Sequence, residues 1–178
     1  MSNPKYIIGV DAALRNVGLN VRDNMDSIVF SDNITTPQGS PDHDSVDEIC
    51  KEFFTKLDPY LGSCRIYFEL INFGRMGKSA ARAEAVGVLK WNCRQADLPI
   101  YGIEPKAWQS WFAKRYGFRY TNWKSDTLKR ETILMVHRHL NLYTQNDNVA
   151  DAAAIAKFGH AHTFERARLS VSALHRVA

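Results

Sequence analysis

Apolar positions in this chain occur first as short runs and alternations, and only later as stripes at helical spacing. Tyr6-Ile7-Ile8-Gly9-Val10 runs unbroken into Asp11, the pattern of a strand covered on both faces. Val17, Leu19 and Val21 then alternate with polar residues, and Ser27 to Ile34 supplies a third strand around Ile28, Val29 and Phe30. The turn-forming Asp23-Asn24-Met25-Asp26 between them predicts an antiparallel meander. Thr35 to Asp44, with two prolines and a glycine, is a loop. It leads into Ser45-Val46-Asp47-Glu48, a capping box, and a helix with Val46, Ile49, Phe53 and Leu57 on one stripe, ended by Pro59 and Gly62.

The second half alternates strands with helices. Arg65 to Ile71 predicts a strand whose apolar run is interrupted by Glu69, and Ser79 to Ala96 a helix rich in small residues. Those small residues, Gly87 included, allow close approach of the sheet or of a second subunit. Pro99 to Ile103 is a short last strand, Pro105 to Tyr116 a helix, Tyr116 to Tyr120 a loop, and Ser125 caps a helix reaching about Leu140. Asn146 or Asp147 starts a further helix in which Asp151 stands beside four alanines. The tail from Thr163 to Ala178 alternates bases with Phe164, Leu169, Val171 and Leu174 and predicts a basic helix, packed on the sheet or laid against DNA. Strands and helices in this order predict one α/β domain spanning 1–178.

The chain of 178 residues, 45% hydrophobic and 24% charged, is long enough for a core without staples. No apolar run approaches the ~18 residues of a membrane span. With no signal-peptide pattern at the start, a cytoplasmic protein with no membrane partner is expected. Cys50, Cys64 and Cys93 are odd in number and lack Cys-x-x-Cys spacing, so reduced core thiols are expected rather than a zinc site or disulfides. The charge is uneven: residues 1–63 hold ten acids and five bases, whereas 64–178 hold nine acids and eighteen bases, a net of +9. Such a basic portion points to a polyanion, nucleic acid foremost. Within 101–130, seven bases are interleaved with eight aromatics and meet only two acids. Either Trp108, Trp111 and Phe112 are core, or one or two rings stack on bases while the cations track phosphates. Lys78, Arg82, Lys106, Lys114 and Lys124 are the phosphate-contact candidates, with Arg115 and Trp108 beside them, and a solvated face is the plain alternative.

Three acids stand against apolar or small-residue surroundings: Asp11, Glu69 and Asp151, with Asp147 a possible fourth. Each has a plain reading. Asp11 can start a turn, Glu69 can sit on an exposed edge, and Asp147 can serve as a helix N-cap. Together they form a set of hard oxygen donors without cysteine or paired histidine, suited to magnesium or manganese. Acids gathered in a basic protein repel one another unless a divalent cation lies between them.

At these residues the chain resembles the RuvC-type Holliday-junction resolvases of the ribonuclease H-like superfamily. The matching motifs are Ile8-Gly9-Val10-Asp11 with Gly18 seven residues on, Tyr67-Phe68-Glu69 ahead of a small-residue helix, and Val149-Ala150-Asp151-Ala152 near the C-terminus. They occur in the family's order across residues 5–158. Many bacterial members carry an acid or histidine where this chain has Asn148, and phage-type members, with Asp-Asn ahead of Ala-Asp, are more similar. The resemblance implies a ribonuclease H-like α/β fold, a five-stranded mixed sheet with three antiparallel and two parallel strands, flanked by helices. It implies a homodimer that cuts four-way junctions symmetrically with two Mg2+ ions per site, Mn2+ substituting. Asp11, Glu69 and Asp151 would be catalytic ligands, with Asp147 or Asn148 completing the set. Phe73 would be a wedge at the junction centre or a core residue. Two rival functions remain: a non-cleaving junction-binding protein, and a related nuclease acting on flaps or RNA:DNA hybrids.

Overall fold

The computed structural model describes residues 3–13, 15–37, 42–70, 79–117, 125–164 and 174–176. Strands β1 (Tyr6–Ala12), β2 (Asn16–Asp23) and β3 (Ile28–Thr35) form the expected meander, followed by α1 (Asp42–Leu61), β4 (Cys64–Glu69), α2 (Ser79–Gln95) and β5 (Ile100–Ile103). Helices α3 (Pro105–Tyr116), α4 (Ser125–Leu140) and α5 (Asp147–Phe164) come next, and β6 (Leu174–Arg176) closes the order. The sheet runs β3-β2-β1-β4-β5-β6. β2 runs antiparallel to both of its neighbours, β1 and β3, while β4 pairs parallel with β1 and β5 parallel with β4.

The period-two alternation of the strands sorts residues between two layers of helices. On one face Ile8, Val10, Leu19, Val21, Ile66 and Phe68 join Ile49, Phe53 and Leu57 of α1 and Val86, Leu89 and Cys93 of α2. On the other, Ile7, Tyr67 and Ile103 meet Trp108 and Phe112 of α3, Met135 and Val136 of α4, and Ala150, Ala153, Ala154 and Ile155 of α5. Asp11 is two steps from Gly9 and four from Ile7, and Glu69 is two from Tyr67, so both carboxylates belong to the face covered by α3, α4 and α5.

Helix α5 is the innermost of these elements. Val149, Ala150 and every residue from Ala152 to Ala161 are buried, so it has no solvated stripe and reads as a core helix. Its approach to the sheet depends on two missing side chains. A Cβ on Gly9 would stand 2.2 Å from the Ala152 carbonyl oxygen and 2.4 Å from the Ala156 nitrogen. One on Gly18 would stand 2.0 Å from the Asn148 carbonyl oxygen. Because Gly18 pairs with Asp11 across β1 and β2, this second contact sets the start of α5 beside Asp11.

Several local expectations give way to tertiary structure. The tail is not a continuous basic helix: α5 ends at Phe164 and Leu174–Arg176 pairs antiparallel with β5. The unpaired backbone edge that β5 would otherwise present makes strand pairing the better use of those residues. The sheet thus has a sixth strand beyond the expected five. Helix α1 starts three residues before the capping box, and Ser45, fully buried, accepts a bond from the Arg15 guanidinium at 2.9 Å instead of capping. Pro59 lies within the last turn, where few ladder bonds remain to lose, and the helix continues to Leu61. β4 stops at Glu69, not Ile71. Gly87 is exposed with no atom near its absent Cβ, so it does not serve approach to the sheet. The three cysteines are free, with Cys64 and Cys93 buried as expected.

Two glycine substitutions should therefore differ in sign. Gly18→Ala should destabilise by about 1–3 kcal/mol through overpacking, whereas Gly87→Ala should stabilise by about 0.5–1 kcal/mol through helix propensity. Urea unfolding of both variants checks the contrast.

Candidate metal centre and nucleic-acid face

Asp11 ends β1 in the middle of the sheet and is only 7% exposed, which is not the setting of an exposed turn residue. Glu69 ends β4, the strand next to β1, one step past the Val10–Phe68 pair and opposite Ile103 of β5. It occupies an interior strand, so the exposed-edge reading does not hold. Its carboxylate is held: the Trp108 indole nitrogen donates to Glu69 Oε1 at 3.0 Å.

The third and fourth acids come from the first turns of α5. Asn146 caps that helix, its side-chain oxygen accepting from the Val149 N–H at 3.2 Å while its carbonyl accepts from the Ala150 N–H. Asp147 is thereby relieved of capping, and its carboxylate pairs with the Lys129 ammonium of α4. Asn148 lies half-buried over Gly18 through its backbone. Asp151 follows one turn after Asp147, and its carboxyl is held well above the usual carboxylate range. Burial is the largest cause, then the charges of Asp11, Glu69 and Asp147, with Lys129 opposing. All four predicted acids therefore act on a common region at one end of β1 and β4.

Hard carboxylate oxygens, with an amide available at Asn148, fit a magnesium-type ion. Among the described residues no group of three His, Cys, Asp or Glu side chains is placed so that it could hold a metal ion as it stands. Two of the acids are instead oriented by other groups, Glu69 by Trp108 and Asp147 by Lys129.

The nucleic-acid candidates divide. Lys106 and Lys114 are exposed on α3 and, with Ser110, form a stripe at i, i+4 and i+8. Helix α3 begins two residues beyond Ile103, so Lys106 stands at the Glu69 end of the sheet. Arg115 is exposed, with its guanidinium over the Trp111 ring at 5.1 Å. Trp108 is 1% exposed and packs edge-on against Phe112, so its indole is a core group bonded to Glu69 and offers no face to a base. Phe73, Lys78 and Lys124 lie outside the described residues, as does the side chain of Arg82. The sequence reading had counted Lys129 among the bases without placing it at the site. Its ion pair depends on how α4 lies against α5, a tertiary relation that no local pattern announces.

No protein-family model matches the sequence, and no curated protein matches it. Solved structures do. Thermus thermophilus RuvC in complex with Holliday junction substrate is similar with a TM-score of 0.69 at 19% identity, covering 90% of this chain and 94% of that one. The chain has the RuvC fold. A second Thermus thermophilus RuvC structure gives 0.68 at 20% identity, with 90% and 95% covered. The yeast mitochondrial Holliday junction resolvase Ydc2 gives 0.54 at 14% identity, with 89% and 79% covered. The ribonuclease H-like mixed sheet is thus as expected. On this RuvC fold the acids sit on the first strand, the neighbouring parallel strand and the last long helix, as the sequence motifs require.

Asp151 also gives a pH prediction. Its folded-state value lies above the ordinary 3.8, so the folded protein holds a proton that the unfolded chain has released. The stability this contributes is complete below the ordinary value and is lost as pH rises through the raised one. In EDTA, Asp151→Asn should melt higher than wild type by about 2–4 °C near neutral pH, the shift that ~1 kcal/mol produces in a chain of this size. The gap should close near about pH 4 and should shrink when Mg2+ is added. Thermal melts across pH, with and without Mg2+, check both.

Proposed function

We propose that this chain is a magnesium-dependent, structure-selective endonuclease that resolves four-way DNA junctions. The observation that carries the reading is that Asp11 and Glu69 stand at the same end of the adjacent parallel strands β1 and β4, with the start of α5, which bears Asp147 and Asp151, seated against Gly18 beside Asp11, in a chain whose later portion is strongly basic. The RuvC fold supports it. In this reading Asp11, Glu69 and Asp151 hold two Mg2+ ions, with Asp147 or Asn148 completing the set and Mn2+ able to substitute. An Asp-Asn pair ahead of Ala-Asp is the phage-type arrangement, in which Asp147 is the natural donor. Bound there, such ions would supply activation of a water and stabilisation of the leaving oxygen in phosphodiester hydrolysis.

The protein's own groups supply position and charge. Lys106 and Lys114 lie on one exposed stripe of α3, about 12 Å apart by helical rise, and contact phosphates of a DNA arm. Arg115 adds charge at the far end of the helix, and by sequence Lys78, Arg82 and Lys124 are further phosphate-contact candidates, with Phe73 the candidate wedge. Lys129 holds Asp147 through an ion pair and would have to release it for that carboxylate to take a metal. The single domain spanning 1–178 acts as a homodimer, so that symmetric strands are nicked and ends carrying 5'-phosphate and 3'-hydroxyl can be rejoined.

Incubation with a labelled synthetic four-way junction in Mg2+, beside matched duplex, flap and RNA:DNA hybrid substrates, tests the reading. Junction cleavage is expected, and Asp11→Asn should lower its rate by at least about 10²-fold while leaving junction affinity within about threefold. Undiminished cutting by that variant would remove Asp11 from the site. Tight junction binding without cleavage under any divalent metal would select the non-cleaving protein, and preference for flaps or hybrids the related nuclease.

A further inference from the structure

The Trp108–Glu69 bond is unusual in its setting. Trp108 belongs to the core cluster shared with Tyr67, Ile103 and Phe112, yet its one polar atom is directed at a carboxylate placed at the candidate metal centre. An indole N–H donates and cannot accept, so it can bind Glu69 only through a carboxylate oxygen. A bond from a neutral donor to a charged acceptor at 3.0 Å is of the stronger kind. Trp108 itself is fixed by packing: its ring meets Phe112 edge-on at 6.2 Å between centroids, and Phe112 is completely buried. Glu69 has more rotatable bonds than an aspartate, so its carboxylate needs an outside constraint to hold one orientation.

We propose that Trp108 is a positioning residue for the metal centre, holding the Glu69 carboxylate in the orientation in which it receives a divalent cation. The assignment rests on the metal-dependent reading given above. Outer groups that hydrogen-bond a metal-ligating carboxylate set its orientation, and removing one typically weakens metal affinity by about 10–100-fold. Trp108 would do so from a helix that also carries Lys106 and Lys114 on its exposed side, so one rigid element serves both the metal centre and the DNA face.

Mn2+ binding to the purified protein without DNA, followed by calorimetry and by the electron paramagnetic resonance of the free ion, provides the test. Trp108→Phe removes the N–H. Replacing Trp108 by 3-benzothienylalanine keeps the ring's shape and removes only the donor, so this version reports the bond without a packing change. Phe112→Leu disturbs the same core and leaves the bond in place. Both Trp108 replacements are expected to bind Mn2+ about tenfold more weakly, while Phe112→Leu stays within about twofold of wild type at a temperature where all are folded. Benzothienylalanine at position 108 with wild-type Mn2+ affinity would overturn the proposal, as would an equal loss in Phe112→Leu. Absence of Mn2+ binding in the wild-type protein would instead overturn the metal-dependent reading and the proposal with it, so the two failures are distinct.

Discussion

The structure depends on how closely α5 lies against β1 and β2. Two positions without side chains, Gly9 and Gly18, admit the backbone of a helix whose own inward residues are mostly alanine. Any side chain at either glycine would collide with the α5 backbone, and the helix would have to lift. Because Gly18 pairs with Asp11 and touches the backbone at Asn148, the same contact that packs the core also brings Asp147 and Asp151 to Asp11. Packing and chemistry are therefore not separable here. A helix seated farther out would leave the carboxylates on two elements with no common space between them.

The second constraint is electrostatic. Burial, and then the charges of Asp11, Glu69 and Asp147, raise the Asp151 carboxyl, and Lys129 compensates in part. Stability alone would favour removing one of the charges. Retaining them makes sense where a cation supplies the balance and where the surrounding protein, positive overall in its later portion, draws in a polyanion. The two orienting contacts, Trp108 to Glu69 and Lys129 to Asp147, differ in kind. The neutral indole can stay in place when a metal is bound, whereas the ammonium competes with it.

Much of this was legible in the sequence because it is written in local patterns. Alternation of Val17, Leu19 and Val21 marks a strand with one apolar face, and Gly18 lies on the other face because of that same alternation. The apolar runs ending in Asp11 and Glu69, and the alanines after Asp151, marked charges in places where charges need a reason. What was not legible depends on partners far along the chain. Trp108 reads as core or as a base-stacking ring, until the position of α3 shows that it is core and that its N–H meets Glu69. The tail carries a helical pattern, but Leu174–Arg176 within it forms β6, since the open edge of β5 outweighs local preference. Gly87 resembled a packing glycine and is exposed, because a small residue marks close approach only where another element actually arrives.

The most direct measurement is a crystal grown or soaked with Mn2+ and recorded at the manganese absorption edge. The account predicts two anomalous peaks about 3.5–4 Å apart, bounded by Asp11, Glu69 and Asp151, with Asp147 or Asn148 on one of them and Lys129 moved off Asp147. Manganese bound elsewhere on the protein, with the four carboxylates left as they are, would contradict it.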